Sequence, residues 1–166
     1  MRTRANSKLV ELHVLFEISR GNKFDLNKME QCEPADDAIA FAGRSGEKNG
    51  IVGFVRRYGD IDPYEAGQIT VALGGAALSS FVQPRAFYTG QNIDVLKPRT
   101  EMALDVKLYY CVCVEANRFR YSTFGREANR TLKNLLVPDL DLIPPWVNGI
   151  TTEAVAELRR DLNLVI

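Results

Sequence analysis

The chain has 166 residues, 46% apolar and 25% charged, which suits one folded domain with a buried core. Its 21 Lys and Arg balance 21 Asp and Glu, so a uniformly basic coat is excluded while a local anion-binding face is not. No apolar run is long enough to span a bilayer, and the start MRTRANSKLVELHV lacks the apolar stretch and cleavage site of a secretion signal. A cytoplasmic protein without membrane contact is expected.

In chain order, LVELHVLFEIS alternates, with Val10, Leu12, Val14, Phe16 and Ile18 on one side and His13 on the polar side. One strand is predicted there, ending at RGNK. DLNKMEQ reads as a short helix opened by Asp25. AIAFAG and IVGFV read as two strands around the polar loop 44–49, which carries Gly46 and leads into Asn49-Gly50. QITVALGGAALSSFVQ predicts a hairpin around Gly74-Gly75, and AFYTGQNIDVLKP two short strands broken at Thr89-Gly90.

Beyond residue 100 the texture changes. Met102, Leu104, Leu108, Cys111, Val112 and Ala116 recur near a helical period, predicting a helix of about four turns with Thr100 as N-cap and Asp105 in its first turns. YSTFG interrupts, ANRTLKNL restarts a short helix, and LLVP is a last strand. Pro138, Pro144 and Pro145 mark an irregular exit before a final amphipathic helix over 152–164, with Val155, Leu158, Leu162 and Val165 on one stripe. The expected class is α+β: one domain over 1–150 of short, twisted, mostly antiparallel strands with a few helices. The helix within 151–166 packs on that domain or on a partner.

Three stretches invite an enzymatic reading and none carries it. LIPPWV has the prolines and aromatic of a base-holding methyltransferase loop, but Ile143 stands where a polar residue must accept from an exocyclic amine. TVALGGAAL has two adjacent glycines where a dinucleotide loop needs spaced ones opening a helix. Asp60, Asp62, Asp94, Asp139 and Asp141 are scattered acids without the spacing of a metal nuclease, and Asp105 and Lys107 sit inside the predicted helix. Cys32, Cys111 and Cys113 have no disulfide or zinc spacing and read as buried reduced thiols; His13 stands alone. No catalytic residue, metal or cofactor is expected.

Charge is unevenly spread. Five acids lie between Asp25 and Asp37 against Lys28, while Arg118, Arg120, Arg126, Arg130 and Lys133 face only Glu127. Glu-Ala-Asn-Arg occurs twice here, at 115–118 and 127–130, with Phe119, Tyr121, Phe124 and Gly125 between. The first copy closes the long helix, and the second opens the next short one. Arginines fork onto phosphates or guanine and asparagine reads adenine, so this segment is a candidate nucleic-acid surface; the alternative is a solvated helix end and polar loop.

The order of FAGRSGEKNGIVGFV, GQITVALGGAALSSFVQPRAFYTGQNIDVLKP and KLYYCVCVEANRFRYSTFGREANRTLKNLLVP resembles the target recognition domain of restriction-modification specificity subunits, of type I and related type II systems. The resemblance runs from about Phe16 to Pro138, with TFGREANRTLKNLLVP its most specific block. It implies a non-catalytic domain that binds a short sequence in double-stranded DNA and directs a DNA methyltransferase, and in some systems a restriction subunit, to it. Phosphate contacts would give salt-dependent affinity and base contacts the sequence preference. Candidate DNA-contacting residues are Arg44, Asn49, Arg126, Asn129, Arg130 and Lys133, with Arg118 and Arg120 in the same basic segment. Gln83, Arg85, Thr89 and Gln91 form a second group in the polar turns. A full type I specificity subunit has two such domains joined by long helices, whereas this chain has one domain and a short final helix, so a half-subunit working as a homodimer is one arrangement it allows. A small metal-dependent nuclease, a methyltransferase fragment and a protein-interaction domain on the same scaffold are the competing readings.

Overall fold

β-Branched and aromatic residues in short runs form nine strands among the described residues of the computed structural model, which are 9–121 and 130–165. Beginning the chain, β1 (Leu9–Glu11) passes through a single helical turn, α1 (Leu12–Leu15), into β2 (Phe16–Ser19). Then come β3 (Ile39–Ala42), β4 (Ile51–Val55), β5 (Ile69–Ala72), β6 (Ser80–Val82), β7 (Phe87–Thr89) and β8 (Ile93–Pro98). Helix α2 (Leu104–Glu115), β9 (Leu136–Pro138) and helix α3 (Ile150–Val165) complete the order. A four-stranded antiparallel sheet runs β2-β8-β5-β6, and a three-stranded sheet runs β4-β3-β7. β3 pairs antiparallel with β4 and parallel with β7, while β1 pairs antiparallel with β9. The α+β class with mostly antiparallel strands is as expected.

Every residue of β3 is buried, because both of its faces are covered. Ile39 and Phe41 point into a cluster with Met29, Val55 and Tyr88, while Ala40 and Ala42 meet Phe87 and Val95, the latter from the other sheet. The main core lies between α2 and the four-stranded sheet. Phe16, Ile69, Val71 and Leu96 meet Tyr110, Cys111 and Val114, and Leu12, Leu132 and Val137 close it. Tyr110 sets the rotation of α2: its ring meets Phe16 edge-on at 5.5 Å, and its hydroxyl donates to the Pro138 carbonyl at 2.9 Å.

That rotation corrects the predicted helix face. Over 108–114 the helix is apolar almost all round, so periodicity does not determine which side turns inward. Leu104, Leu108 and Val112, expected inside, are exposed. The single strand predicted over Val10–Ile18 is two strands in different sheets. Leu12 and Leu15 are both buried in the intervening turn and Val14 is exposed, with the Leu12 amide donating to the Leu135 carbonyl at 2.8 Å. The helices predicted after Asp25 and within ANRTLKNL are single 3-10 turns, Leu26–Lys28 and Leu132–Asn134. All three cysteines are free, but only Cys111 is fully buried. No helix among the described residues is long and apolar enough to cross a membrane.

Thr100 is not the N-cap of α2; that position is Ala103, which has no capping side chain. Asp105 instead caps the other helix. It accepts from the Gly149 amide at 2.7 Å, the Thr151 amide at 3.3 Å and the Thr151 hydroxyl at 2.5 Å, satisfying N–H groups that α3 leaves unpaired at its start. These bonds hold the carboxyl below the usual aspartate range, the Thr151 hydroxyl contributing most. Asp105→Ala should therefore lower the urea midpoint at neutral pH and release amide protection at Gly149 and Thr151. The contribution is present above the unfolded-state pKa and is lost as pH falls through the lower folded value, so the two proteins should converge in acid.

Candidate nucleic-acid interface

Where β2 ends, the chain turns sharply through Arg20, Gly21, Asn22 and Lys23. Gly21 has φ +65°, and a β-carbon there would sit 2.3 Å from the Thr89 hydroxyl oxygen and 2.6 Å from the Ile93 carbonyl oxygen, so no side chain fits. The Asn22 amide donates to Thr89 Oγ1 at 2.7 Å, the Thr89 amide donates to Asn22 Oδ1 at 3.0 Å, and Gln91 Nε2 donates to the Lys23 carbonyl at 2.7 Å. Tied down in this way, the turn presents Arg20 and Lys23 outward, both exposed.

Arg130 and Lys133 approach from the other side, on the segment leading into β9. Between the two pairs lies a cleft of about 290 Å³ lined by Ile18, Arg20, Asp94, Arg130, Leu132 and Lys133. It continues toward Lys23, Leu73 and Asn92. Asp94 is its floor, 3% exposed, on the face of β8 that also carries Leu96. Its Oδ1 has no hydrogen-bond partner among the described residues. Burial pushes the carboxyl up to about 6, against the pull of Arg20 and Lys23.

The loop from Leu73 to Ser79 joins this cleft to the other polar loops. The Leu73 amide donates to the Asn92 carbonyl at 2.9 Å, and the Ala76 amide donates to the Arg44 carbonyl at 3.3 Å. Arg118 Nε donates to the Ala77 carbonyl at 3.0 Å and Arg118 Nη2 to Ser79 Oγ at 2.9 Å. Tyr121 and Thr131 share a hydroxyl hydrogen bond that ties the two ends of the basic segment. Exposed Arg44 and Lys48 thus lie on a loop continuous with the one that borders the cleft.

The expected residues divide by this geometry. Arg130 and Lys133 line the cleft; Arg44 and Arg120 are exposed, Arg120 lying over the Phe119 ring at 5.6 Å. Arg126 and Asn129, with Phe124, Gly125 and Glu127, lie outside the described residues. Gln83 and Thr89 are fully buried and bonded within the fold, although Gln83 Oε1 has no partner among the described residues. Gln83 Nε2 donates to the Asn49 carbonyl at 2.9 Å and to Thr70 Oγ1 at 2.8 Å, while Asn49 Nδ2 donates to the Val82 carbonyl at 3.2 Å. Together they lock the Arg44–Gly50 loop onto β6. Arg118 likewise braces a loop, and Arg85 holds the Ala35 and Asp36 carbonyls beside the Phe54 ring. Arg20, Lys23 and Asp94, which also line this cleft, were not among the expected residues; the available signal was a pair of cations flanking a glycine at a strand end. Among the described residues, no group of three or more His, Cys, Asp or Glu is placed to hold a metal ion.

The buried Asp94 has a thermodynamic consequence. Its folded pKa, about 6, exceeds the ordinary 3.8, so its ionisation opposes folding as pH rises between those values. Asp94→Asn should be more stable than the parent at pH 8 by about 2–3 kcal/mol, the free-energy equivalent of that shift, and the difference should disappear toward pH 4. Urea unfolding of both proteins across this range measures it.

Comparison with known proteins agrees with the resemblance seen in the sequence. The structure is similar to the S subunit of a type I restriction-modification system from M. genitalium, with TM-score 0.61 and 14% identity over 95% of this chain and 40% of that one. It is similar to a chain from a structure addressing complex assembly and conformational transition of the type I R-M system, with TM-score 0.64 and 16% identity over 99% and 43%. The HsdS subunit from Thermoanaerobacter tengcongensis gives TM-score 0.53 and 17% identity over 96% and 41%. The chain thus spans about two-fifths of the length of these structural relatives. No curated protein matches in sequence. Residues 5–138 match the family described as the type I restriction modification DNA specificity domain, and the chain belongs to that family.

Proposed function

We propose that this chain is a non-catalytic target-recognition component of a restriction-modification system, working in the cytoplasm. It binds a short double-stranded DNA sequence and directs a DNA methyltransferase, and a restriction subunit in the complete assembly, to that site. The cleft carries this reading: Arg20, Lys23, Arg130 and Lys133 set four positive charges around one buried carboxylate, with Arg44 and Lys48 on a loop continuous with its border. Such a rim neutralises phosphates by counterion release, and fixed loops beside it hold side chains at base edges. Gln83, Thr89, Asn49 and Arg118 serve by rigidity, since a side chain that reads a base must keep its place.

Helix α3 supports a role within an assembly. Val155, Leu158 and Leu162 lie exposed along it, 48%, 61% and 64%, so this stripe is available to a methyltransferase chain or to a second copy of this one. A homodimer formed through this stripe would bring two recognition domains together.

Selection from random duplex DNA at two salt concentrations tests the reading: one short motif should be enriched, and affinity should fall steeply with salt. Arg20→Ala and Arg130→Ala should each flatten the slope of log K against log salt by about 0.9 for every phosphate the arginine neutralises. An unselective, salt-erased association would sink the proposal. Leu158→Glu should leave DNA selection intact and abolish co-purification with the methyltransferase chain or self-association in sedimentation.

A further inference from the structure

The cation rim explains attraction to phosphate but not the floor of the cleft. Asp94 is 3% exposed with Oδ1 unpaired among the described residues, and an unpaired buried acceptor asks for a donor. Inorganic phosphate would satisfy the rim, yet it would set an anion against the carboxylate and leave Oδ1 without a proton. A lysine or arginine of a partner protein would satisfy Asp94 but would have to enter among Arg20, Lys23, Arg130 and Lys133. A divalent cation meets the same repulsion and finds one carboxylate where it needs several oxygen ligands. The complementary ligand is anionic outside and carries an N–H donor inside, which is the chemistry of a nucleotide.

Resting on the DNA-binding reading above, we propose that this cleft receives one unstacked nucleobase of the bound DNA and selects an exocyclic amine, cytosine N4 or adenine N6, by donation to Asp94 Oδ1. Three observations bear on this. The cleft volume of about 290 Å³ lies just below the range of drug-sized pockets, a scale suited to a single base. Ile18 and Leu132 supply apolar walls for its faces, and Arg20 and Arg130 stand where its flanking phosphates would pass. With Asp94 only 3% exposed, an amine that reaches its carboxylate must enter the cleft, which a base still stacked in a duplex does not do, so the base leaves its stack, as in other proteins that read extruded bases.

The inference also fixes a pH response. The base donates to the ionised carboxylate, whose pKa in the free protein is raised to about 6 by burial. Protonation therefore competes with the bound amine, and preference for it should weaken as pH falls through 6. The charged groups facing Asp94 from the neighbouring segments are Arg20, Lys23, Arg130 and Lys133. Attraction to phosphate rests on these cations and not on Asp94, so general DNA attraction should not weaken as Asp94 takes up its proton.

The decisive experiment compares the parent and Asp94→Asn on the duplex enriched from random DNA. Each of its cytosines and adenines is replaced in turn by an analogue lacking the exocyclic amine. For the parent, one position should lose about tenfold or more in affinity, and 2-aminopurine placed beside that position should brighten on binding as its neighbour unstacks. Asp94→Asn should remove or change the preference at that position alone, leaving the salt slope and the other positions as they were. If every position responds alike in the two proteins, or the reporter stays quenched, the inference is overturned while DNA recognition stands. If no duplex is enriched at all, both fall together.

Discussion

Contact between Gly21 and Thr89 couples the two sheets at the end where the polar loops gather. Gly21 follows β2 of the four-stranded sheet, and Thr89 ends β7 of the three-stranded one. The backbone of one turn lies directly on the side chain of the other strand, and Asn22 and Thr89 exchange hydrogen bonds across the gap at 2.7 and 3.0 Å. The Phe24 amide adds a third bond to the Thr89 carbonyl at 3.0 Å. Because the backbone of the turn has little freedom left, Arg20 and Lys23 leave it from fixed positions, and the entropy of ordering that backbone is met by folding. Precision at the cleft therefore originates in a contact that lies outside it.

The same strand arrangement makes the cleft costly. β8 sits inside its sheet, hydrogen-bonded on both edges, and alternation places Asp94 beside Leu96 on a core-facing side. A leucine at 94 would complete that face at no electrostatic cost, and apolar replacements of buried charges often stabilise proteins. Folding alone therefore gives no reason for a carboxylate at this position. Arg20 and Lys23 moderate the penalty without removing it, since burial still dominates the direction of the shift. Preorganised charge of this kind is characteristic of sites whose electrostatics are completed by a ligand.

How much of this the sequence disclosed depends on the range of the interaction involved. The β3–β4 and β5–β6 hairpins were legible because adjacent runs and their turns lie within one short stretch, as was the break at Thr89-Gly90. Val10 to Ile18 misled, since perfect alternation hides that Leu12 and Leu15 are both claimed by the core below α2. The rotation of α2 misled for a related reason: a helix apolar on most sides takes its orientation from Phe16 and Pro138, far off in sequence. At the candidate site, Arg130 and Lys133, chosen by type and spacing, line the cleft, but polar character could not separate a residue that faces outward from one that holds a loop. Gln83 and Thr89 look like turn residues and are buried beams. Arg20 and Lys23 look like the end of a strand and border the cleft.

The two Glu-Ala-Asn-Arg copies show the same division within identical letters. Glu115 ends α2 and accepts from the Ser80 amide at 3.0 Å, while Arg118 spans to Ala77 and Ser79. The first copy is thus spent on bracing the loop that borders the cleft. Arg130, the last residue of the second copy, sits in the cleft wall near Arg20 and Asp94, three residues before Lys133. Tyr121 and Thr131, ten positions apart, share a hydroxyl hydrogen bond that links the brace to the wall. On the proposed reading, a substitution at Arg118 acts through the position of its neighbours, and one at Arg130 through charge. These differ in kind, because a displaced loop changes affinity at every salt concentration whereas a missing cation changes the slope.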